Sequence, residues 1–421
     1  MGQNNRVVIT GTGVVAPRGI GVKQFWETMT NGQTATRRIS FFDASNFRSK
    51  VAAECDFAPA EHGLTAQQID RMGRATQFAY VAAVEALEMS GFEVTEENSS
   101  RFGVSVGSAV GSVRELDANY RALSDDGRLW ELDHHYASPH LLDYQSTGAT
   151  VREIAWLTGA QGPSAMISAG CTSGLDTIGH AFQLIQEGSA DTVIAGATDA
   201  PITPITAACF DAIKATTRDN DDAEHASKPF DRRRNGFVLG EGAAMFVLEN
   251  YETAKARGAD IIAEVGGFAS RCNAHHMTGL LPDGKEMAES IRDAMRQARV
   301  DASDIDYINA HGSGTKQNDR HETAAYKRSL GNAAYETPVS SIKSMIGHSL
   351  GAIGSIELAA CALAIRHGVI PPTANLHEPD PECDLDYVPL IAREQRTDVV
   401  LSVGSGFGGF QSAAILTREG R

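Results

Sequence analysis

Cysteine is scarce in this chain, with six in 421 residues, scattered and without a Cys-X-X-Cys pair. This pattern argues against a disulfide framework and a cysteine-rich zinc site, so any functional cysteine is expected to act alone in a reducing, cytoplasmic environment. Basic side chains are also few, with 37 lysines and arginines against 53 acidic residues and a net charge of −16. Such an acidic protein repels polyanions, which argues against nucleic-acid or membrane-surface binding.

Long apolar runs are missing as well. None reaches the roughly 18 residues that a membrane span requires, and residues 1–6 contain no apolar signal-peptide core. Glycine, in contrast, is abundant at 41 residues. Many tight turns and close backbone approaches are therefore expected.

Short apolar segments alternate with longer amphipathic ones, which is typical of an α/β fold. Apolar runs of strand length predict strands over residues 7–10, 103–107, 192–195, 244–249, 261–266, 305–310 and 399–403. Helical periodicity predicts helices over residues 74–89, 172–187, 287–297 and 353–367. The most polar stretch, residues 216–231, is expected to form a surface loop.

Two parts of the chain repeat one order of elements. Residues 168–171 lead into a helix and then an apolar strand that ends at Gly196, and residues 340–348 lead into a helix and a later strand that ends at Gly404. The second helix is apolar nearly all round, as expected of a helix buried between two sheets. The repeat predicts a duplicated, pseudo-twofold body of five layers, with units at residues 1–258 and 259–421.

Two glycine-rich segments follow predicted strands. Residues 11–16 resemble a dinucleotide-binding fingerprint, but no second strand with an acidic end follows at the required spacing, so a tight turn is favoured. Residues 404–410 contain four glycines. They are equally consistent with a ligand-approaching loop and with a sharp turn at a sheet edge.

Cys171 is the cysteine with the best context for catalysis. It lies in Ala-Gly-Cys-Thr-Ser-Gly, immediately before a predicted helix. The positive end of a helix dipole lowers a thiol pKa, and small neighbours allow a tight strand-to-helix bend. The competing interpretation is a buried structural cysteine, the commoner role for any single cysteine.

Two histidines and a lysine lie near the ends of apolar segments. His311 follows the predicted strand 305–310, and His348 precedes the second buried helix. Lys343 follows an apolar stretch and needs a carboxylate partner or water, for which Glu322 is a candidate. Taken separately, each has a structural explanation.

Taken together and in this order, the motifs resemble the Cys-His-His ketosynthases of the thiolase-like superfamily. They are Ala-Gly-Cys-Thr-Ser-Gly around Cys171, Asn-Ala-His-Gly-Ser-Gly-Thr around His311, and Ser-Ile-Lys-Ser-Met-Ile-Gly-His ending at His348. Residues 234–242 and 404–410 add matches, and the resemblance covers the whole chain. It implies a thiolase fold of two βαβαβαβ halves stacked in an αβαβα sandwich.

The segments 171–176 and 317–323 resemble the α ketosynthase of type II aromatic polyketide synthases. The sister subunit of that branch, the chain-length factor, lacks the nucleophile, so Cys171 places the chain on the catalytic side. Asn235 stands where the family usually has aspartate. This difference is expected to alter a loop near the site.

The resemblance implies an acyltransferase that performs iterative decarboxylative Claisen condensation of malonyl units onto a polyketide chain held on Cys171. Neutral His311 and His348 would stabilise the enolate, and the backbone amides of Cys171 and Phe407 would hold the tetrahedral oxyanion. Phe407 resembles a gate on its glycine loop. Lys343 is expected to pair with Glu322 and order the His311 loop.

The implied substrates arrive on the phosphopantetheine arm of an acyl carrier protein, with no permanently bound cofactor and no metal. The hydroxyls expected to bind this arm belong to Thr278, Ser313 and Thr315. The implied stable partner is a chain-length factor, as a heterodimer. Because carrier proteins are acidic, docking requires a local basic patch. The candidates are Arg71 and Arg74, with Lys214 and Arg218 as additions.

Three alternatives are open at this point. A homodimeric fatty-acid elongating ketosynthase is the nearest, and residues 171–176 and 317–323 argue against it. A non-catalytic partner subunit is disfavoured by Cys171 and the two histidines. A degradative thiolase requires a second catalytic cysteine near the C-terminus, where residues 404–409 contain none.

Overall fold

The computed structural model describes residues 5–130 and 132–421. The α-helices within these residues are α1 Val22–Thr30, α2 Ala66–Arg71, α3 Arg74–Ser90, α4 Val113–Leu123, α5 Leu141–Gln145, α6 Gly148–Thr158, α7 Ser173–Gln186, α8 Pro204–Ala212, α9 Tyr251–Ala256, α10 Lys285–Ala298, α11 Lys316–Leu330, α12 Lys343–Ile346 and α13 Ile353–His367. The strands are β1 Val7–Ala16, β2 Gly19–Ile20, β3 Thr36–Arg38, β4 Val51–Ala53, β5 Phe102–Gly107, β6 Ser164–Ile167, β7 Thr192–Asp199, β8 Leu239–Gly240, β9 Gly242–Asn250, β10 Ala263–Cys272, β11 Tyr307–Asn309, β12 Val339–Ser340, β13 Val369–Ile370, β14 Arg393–Glu394, β15 Val399–Gly406 and β16 Phe410–Thr417.

The main sheet consists of two half-sheets with the same topology. The first has the order β6-β5-β7-β9-β1, and the second has the order β12-β11-β15-β16-β10. In both, the two outermost pairings are parallel and the next two are antiparallel. The halves join where Val7–Ile9 of β1 pairs with Ala263–Val265 of β10. The predicted duplication is confirmed. The antiparallel strand β16 of the second half was not predicted from the sequence pattern.

Helices α7 and α13 pack together between the two half-sheets, and their side chains share one hydrophobic core with β1, β7 and β9. Helices α3 and α6 cover the outer face of the first half-sheet, and α10 and α11 lie with the second half. This arrangement is the predicted α/β sandwich of five layers. The expected boundary at residues 258 and 259 falls between α9 and β10, and it stays a prediction.

Gly11 and Gly13 are explained by packing. A Cβ atom at either position would lie 2.0 Å from a backbone carbonyl oxygen of α3, Ala86 O and Ala82 O respectively. The two glycines thus allow the helix to lie directly on β1. This close contact agrees with the rejection of a dinucleotide-binding loop.

The segment Leu350–His367, which includes α13, is long and apolar enough to span a membrane by length and composition, with a mean hydropathy of 1.3. The sequence pattern had predicted no such run. Within the fold, 89% of this segment is buried. It packs between the two half-sheets, which is the behaviour of a core helix.

Residues 216–231 are less exposed than predicted. Both ends of the segment are buried, including Thr217, Phe230 and Asp231. Phe230 stacks on Tyr387 with ring centroids 3.8 Å apart. The polarity of the segment therefore reflects hydrogen bonding within the fold as well as contact with solvent.

Candidate active site

A cavity of about 350 Å³ lies beside the turns that follow β6, β11 and β15. It lies between the two halves and is lined by side chains and backbone from both. The cavity-lining residues that the sequence singled out are Cys171, Lys214, Asn235, Thr278, His311, Ser313, Thr315, His348 and Phe407. The structure therefore brings nearly all of the predicted site residues together, whereas Lys343 and Glu322 lie behind this lining.

Cys171 stands on a tight turn between β6 and α7. Gly170 has a φ of +57°, a left-handed conformation that favours glycine. The Ser173 hydroxyl donates to Gly170 O at 2.7 Å and accepts from Ala169 N at 2.9 Å, which fixes the turn. The thiol is thereby held at the start of a buried helix with access to the cavity.

The predicted lowering of the Cys171 pKa is wrong for this structure. Burial raises the pKa of the thiol to about 11, against the opposing influence of the Lys343 ammonium and of backbone amides. Desolvation of the charged form outweighs the helix terminus here. The resting side chain of Cys171 is therefore a neutral thiol, and a base must accept its proton before the sulfur can act as a thiolate.

Two backbone amides lie near the sulfur of Cys171. The amides of Phe407 and of Cys171 itself act on it as hydrogen-bond donors that lower its pKa. Phe407 occupies the turn of the β15–β16 hairpin, where Gly408 and Gly409 have φ angles of +93° and +90°. The glycine-rich segment is thus both a sharp turn and part of the cavity wall.

His311 and His348 both line the cavity, and their rings pack edge to face. Their ring centroids lie 5.3 Å apart at an interplanar angle of 85°. Burial and the nearby Lys343 ammonium hold the pKa of both rings well below the ordinary value, as predicted. Both imidazoles are therefore neutral at physiological pH.

The predicted Lys343–Glu322 ion pair is wrong. The Lys343 ammonium donates to Glu357 Oε1 and to His311 O, both at 2.5 Å, and all of its side chain is buried. Glu357 projects from α13, one turn after its start, a position that the sequence analysis did not single out. Burial raises the pKa of Glu357 to about 7, opposed by the adjacent Lys343 ammonium.

Glu322 orders the His311 loop without the lysine. Its Oε2 accepts from Gly312 N at 2.9 Å and from Asn318 Nδ2 at 2.8 Å, and its Oε1 accepts from the Tyr326 hydroxyl at 3.3 Å. Burial, with the neighbouring Asp319, raises the pKa of Glu322 to about 8. Its contact with the loop is therefore hydrogen bonding to the backbone.

The three predicted hydroxyls lie along the cavity wall. Ser313 Oγ and Thr315 Oγ1 are 3.0 Å apart and form a polar pair beside His311. Thr315 also caps α11 by accepting from Asn318 N at 3.3 Å. Thr278 lies on the facing loop, where His276 Nδ1 accepts from its backbone amide at 3.1 Å.

The basic patch predicted from Arg71 and Arg74 is not a free surface. Arg74 donates to both oxygens of Glu241 and packs over the Phe78 ring, which argues against docking by this largely covered side chain. Arg71 is bidentate to Glu153 and only 24% exposed, which also argues against docking.

The two additional cations are better placed. Lys214 and Arg218 are both exposed, and Lys214 lines the cavity. Neither forms an ion pair in the part of the chain that the structure describes. Arg218 adjoins the cavity because its backbone amide donates to the cavity-lining Asn235. Residues 213–219, which carry both cations, are called the basic lip of the cavity.

A potential metal-ligand cluster lies away from this cavity. Asp133, His134 and His135 are adjacent in sequence and place ligand atoms within 4.8 Å of one another. The cluster is largely solvent-exposed, and Asp133 already bonds the His135 ring at 2.8 Å. Its geometry gives no reason to connect it with the Cys171 cavity.

Comparisons with known proteins agree with this geometry. Two family models match the chain, the N-terminal domain of β-ketoacyl synthase over residues 4–254 and its C-terminal domain over residues 262–377. The ketoacyl synthase α subunit of the tetracenomycin polyketide synthase of Streptomyces glaucescens is 63% identical over 98% of this chain and 97% of its own length. A 3-oxoacyl-[acyl-carrier-protein] synthase 2 of Coxiella burnetii is 40% identical over 99% of both.

Two solved structures share the fold over 99% of this chain and all of their own. One is a type II polyketide synthase ketosynthase in complex with its acyl carrier protein and bound to the hexaketide, with a TM-score of 0.93 and 35% identity. The other is the ishigamide ketosynthase/chain length factor, with a TM-score of 0.90 and 34% identity. The chain belongs to the β-ketoacyl synthase family of acyltransferases, and within it to the ketosynthase α subunits of type II polyketide synthases.

Proposed function

We propose that this chain catalyses the iterative decarboxylative Claisen condensation of malonyl units, carried on an acyl carrier protein, onto a polyketide chain bound to Cys171. The observation that supports this proposal most directly is one cavity that holds a partly buried cysteine thiol and two neutral imidazoles. The combination matches a nucleophile that forms a thioester and two donors that stabilise an enolate.

In the first step the Cys171 sulfur attacks the thioester carbonyl of the carrier-bound chain. The new C–S bond forms as the pantetheine thiolate leaves and takes up the proton that Cys171 releases. Because burial raises the pKa of the thiol to about 11, this proton must pass through a nearby base. A neutral imidazole, His311 or His348, is the group available in the cavity.

In the second step malonyl thioester loses carbon dioxide, and the electron pair of the broken C–C bond forms an enolate. Two N–H groups at its oxygen, from His311 and His348, stabilise that charge as it develops. Neutral rings serve this purpose because an imidazolium would also bind the ground-state carboxylate. Burial, assisted by the Lys343 ammonium that Glu357 holds, keeps the pKa of both rings low.

In the third step the enolate carbon attacks the acyl-Cys171 carbonyl and a C–C bond forms. The C–S bond then breaks with its electron pair on the Cys171 sulfur, which takes up a proton from solvent and returns to the thiol. The tetrahedral oxyanion would be held by the amides of Cys171 and Phe407, which already donate towards the sulfur. Phe407 is 38% exposed on its hairpin turn. Its position fits a gate that moves when the cysteine is acylated.

The pantetheine arm would lie along Thr278, Ser313 and Thr315, since these hydroxyls line the wall between the solvent and His311. No permanent cofactor is required, because phosphopantetheine arrives covalently attached to the carrier protein. The acidic carrier would contact Lys214 and Arg218 at the cavity mouth. This assignment replaces the patch expected from Arg71 and Arg74.

A heterodimer with a chain-length factor is the proposed assembly, in the cytoplasm. The segment from α4 to α5 exposes large apolar side chains that a protein partner would cover. They are Leu129 at 48%, Trp130 at 99%, Leu132 at 50%, Tyr136 at 69% and Leu142 at 78% exposure. The edge strand β6 pairs with β5 alone among the described strands, which leaves one side open for pairing across a dimer axis.

The experiment that tests the proposal is reconstitution of the purified chain with the co-purifying subunit, carrier protein and malonyl groups. Native mass spectrometry is expected to show a complex with a homologous subunit of similar mass that lacks the nucleophile. The complex should release carbon dioxide and accumulate polyketide chains on carrier protein. A homodimer that elongates saturated acyl chains would instead support the fatty-acid alternative, against which the lower identity of the Coxiella synthase already argues.

A further inference from the structure

Asn235 lies in the cavity wall and makes three hydrogen bonds with a single short segment. Its Oδ1 accepts from Thr217 Oγ1 at 2.7 Å and from Arg218 N at 3.0 Å. Its Nδ2 donates to Asp219 Oδ1 at 2.8 Å. One amide thus contacts three consecutive residues of the segment.

The chemistry of these contacts requires an amide at position 235. Thr217 and Arg218 present donors, whereas Asp219 presents a carboxylate whose other oxygen accepts from the Lys228 ammonium. An aspartate at position 235 could accept the two donors, but its second oxygen would face the Asp219 oxygen without a hydrogen between them. Two carboxylates at that distance repel each other unless one is protonated.

The segment that Asn235 holds is the basic lip of the cavity, residues 213–219. Backbone hydrogen bonds connect it to the residues that follow Asn235, with Thr217 N donating to Phe237 O at 2.9 Å and Phe237 N to Ala215 O at 3.1 Å. Gly236 packs so closely on it that a Cβ there would lie 2.4 Å from the Thr216 carbonyl carbon. Lys214 has a φ of +56° and is one of the residues that line the cavity.

We propose that Asn235 is a positioning residue that holds the basic lip in place, so that its cations Lys214 and Arg218 bind the anionic part of the carrier-borne substrate. The shared chemistry of that ligand is a phosphate or carboxylate outside the reacting thioester. The inference rests on the proposed function, because the anion is recognised there only if carrier-bound substrates enter this cavity. It gives the asparagine a role in substrate binding that the catalytic residues do not have.

The test compares Asn235→Asp with the charge exchange Asn235→Asp/Asp219→Asn. The exchange keeps the net charge and recreates one carboxylate–amide contact in the opposite direction. The matched control is Asn250→Asp, because Asn250 caps α9 through Oδ1 and aspartate is an equally good N-cap. Decarboxylation rates are measured with three probes: malonyl carrier protein, malonyl phosphopantetheine and malonyl pantetheine.

Asn235→Asp is expected to raise KM for malonyl carrier protein about tenfold, the factor that one charge-assisted hydrogen bond supplies, with kcat changed less than threefold. KM for malonyl pantetheine should not change, and the charge exchange should restore KM to within about threefold of the wild type. A loss shared by malonyl phosphopantetheine assigns the anion to the phosphate. A loss confined to the carrier protein assigns it to carrier carboxylates.

Three results would overturn the inference. They are an unchanged KM in Asn235→Asp, an equal loss with malonyl pantetheine, and no recovery in the charge exchange although it unfolds at the wild-type temperature. Failure of the proposed function would look different. In that case the wild-type complex itself would not decarboxylate malonyl carrier protein.

Discussion

The two halves of the molecule use equivalent strand ends in different ways. In the first half, β5 is followed by Ser108 and β7 ends at Asp199, and these two side chains bond each other at 2.6 Å. In the second half, the equivalent β11 is followed by His311, and the equivalent β15 runs into the Phe407 turn. Both of the latter line the cavity, whereas Ser108 and Asp199 do not.

The Asp199 carboxylate also accepts from Ala109 N at 2.9 Å, Val110 N at 3.2 Å and Gly351 N at 2.8 Å. Gly351 lies immediately before α13, so this carboxylate fastens the first half to the turn that follows His348. In this duplicated fold, one set of strand ends lines the cavity with His311 and Phe407, and the equivalent set holds loops that surround the cavity. Of the first half, Cys171 is the side chain proposed to react.

Removing that side chain should have the largest effect. Cys171→Ala is expected to abolish chain extension, a loss of at least about a thousandfold, because no thioester can form on the enzyme. Decarboxylation of malonyl carrier protein should persist in part, since His311 and His348 stay in place. Product analysis and release of labelled carbon dioxide measure the two activities separately. Wild-type amounts of polyketide from this variant would reject Cys171 as the nucleophile.

The different roles of the two strand ends can be tested directly with the variants His311→Ala and Ser108→Ala. The histidine variant should lose about a hundredfold or more in decarboxylation, the usual cost of one donor to a developing oxyanion. Ser108→Ala should instead lower the free energy of unfolding by about 1–3 kcal/mol, because it leaves a buried carboxylate with one donor fewer. Its kcat should stay within about threefold of the wild type. Thermal unfolding and carbon dioxide release are measured on both variants, and equal kinetic losses would contradict the division of roles.

The duplicated fold was predictable because hydrophobic periodicity repeats in both halves, and helix α13 was predicted with the correct bounds. Strand β6 was missed because it is short and half exposed at a sheet edge. Strand β16 was missed because the glycine-rich turn before it resembled the end of the sheet. Cys171, His311 and His348 could be predicted since each stands beside small residues at the end of an apolar segment.

Two features of the site could not be predicted from local patterns. The partner of Lys343 depends on how the helices pack. Glu357 on the buried helix α13 accepts from the lysine, whereas Glu322, the candidate chosen from the sequence, accepts from Gly312 N. The pKa of Cys171 depends on how completely the cavity wall desolvates the thiol. Helix position alone indicated the opposite direction.

The pH dependence of the free energy of unfolding tests the buried Asp199, the strand end of the first half. Burial raises the pKa of Asp199 from 3.8 to about 6, since desolvation outweighs its four hydrogen bonds. The folded state therefore holds this proton more tightly than the unfolded chain, and the associated stability is lost as pH rises from about 4 to about 6. Relative to Asp199→Asn, the wild type should lose up to about 3 kcal/mol over this window.

Urea denaturation of both proteins at several pH values measures that difference. Asp398→Asn is a suitable control because Asp398 lies on the surface with a pKa lowered by its arginine neighbours. A difference between wild type and Asp199→Asn that stays constant from pH 4 to 7 would mean that Asp199 is ionised throughout this range.

The smallest effect is expected at Phe407, the residue proposed to act as a gate. Phe407→Ala should slow the passage from acylation to extension about tenfold, because the ring that separates the two states is lost while its backbone amide stays. Stability should fall by less than about 1 kcal/mol, since the side chain is 38% exposed. Single-turnover measurements resolve the two half-reactions, with Phe410→Leu on the same hairpin as a packing control. If Phe407→Ala slows acylation and extension equally, the side chain lines the cavity without gating it, and the two sets of strand ends differ in reactivity but not in mobility.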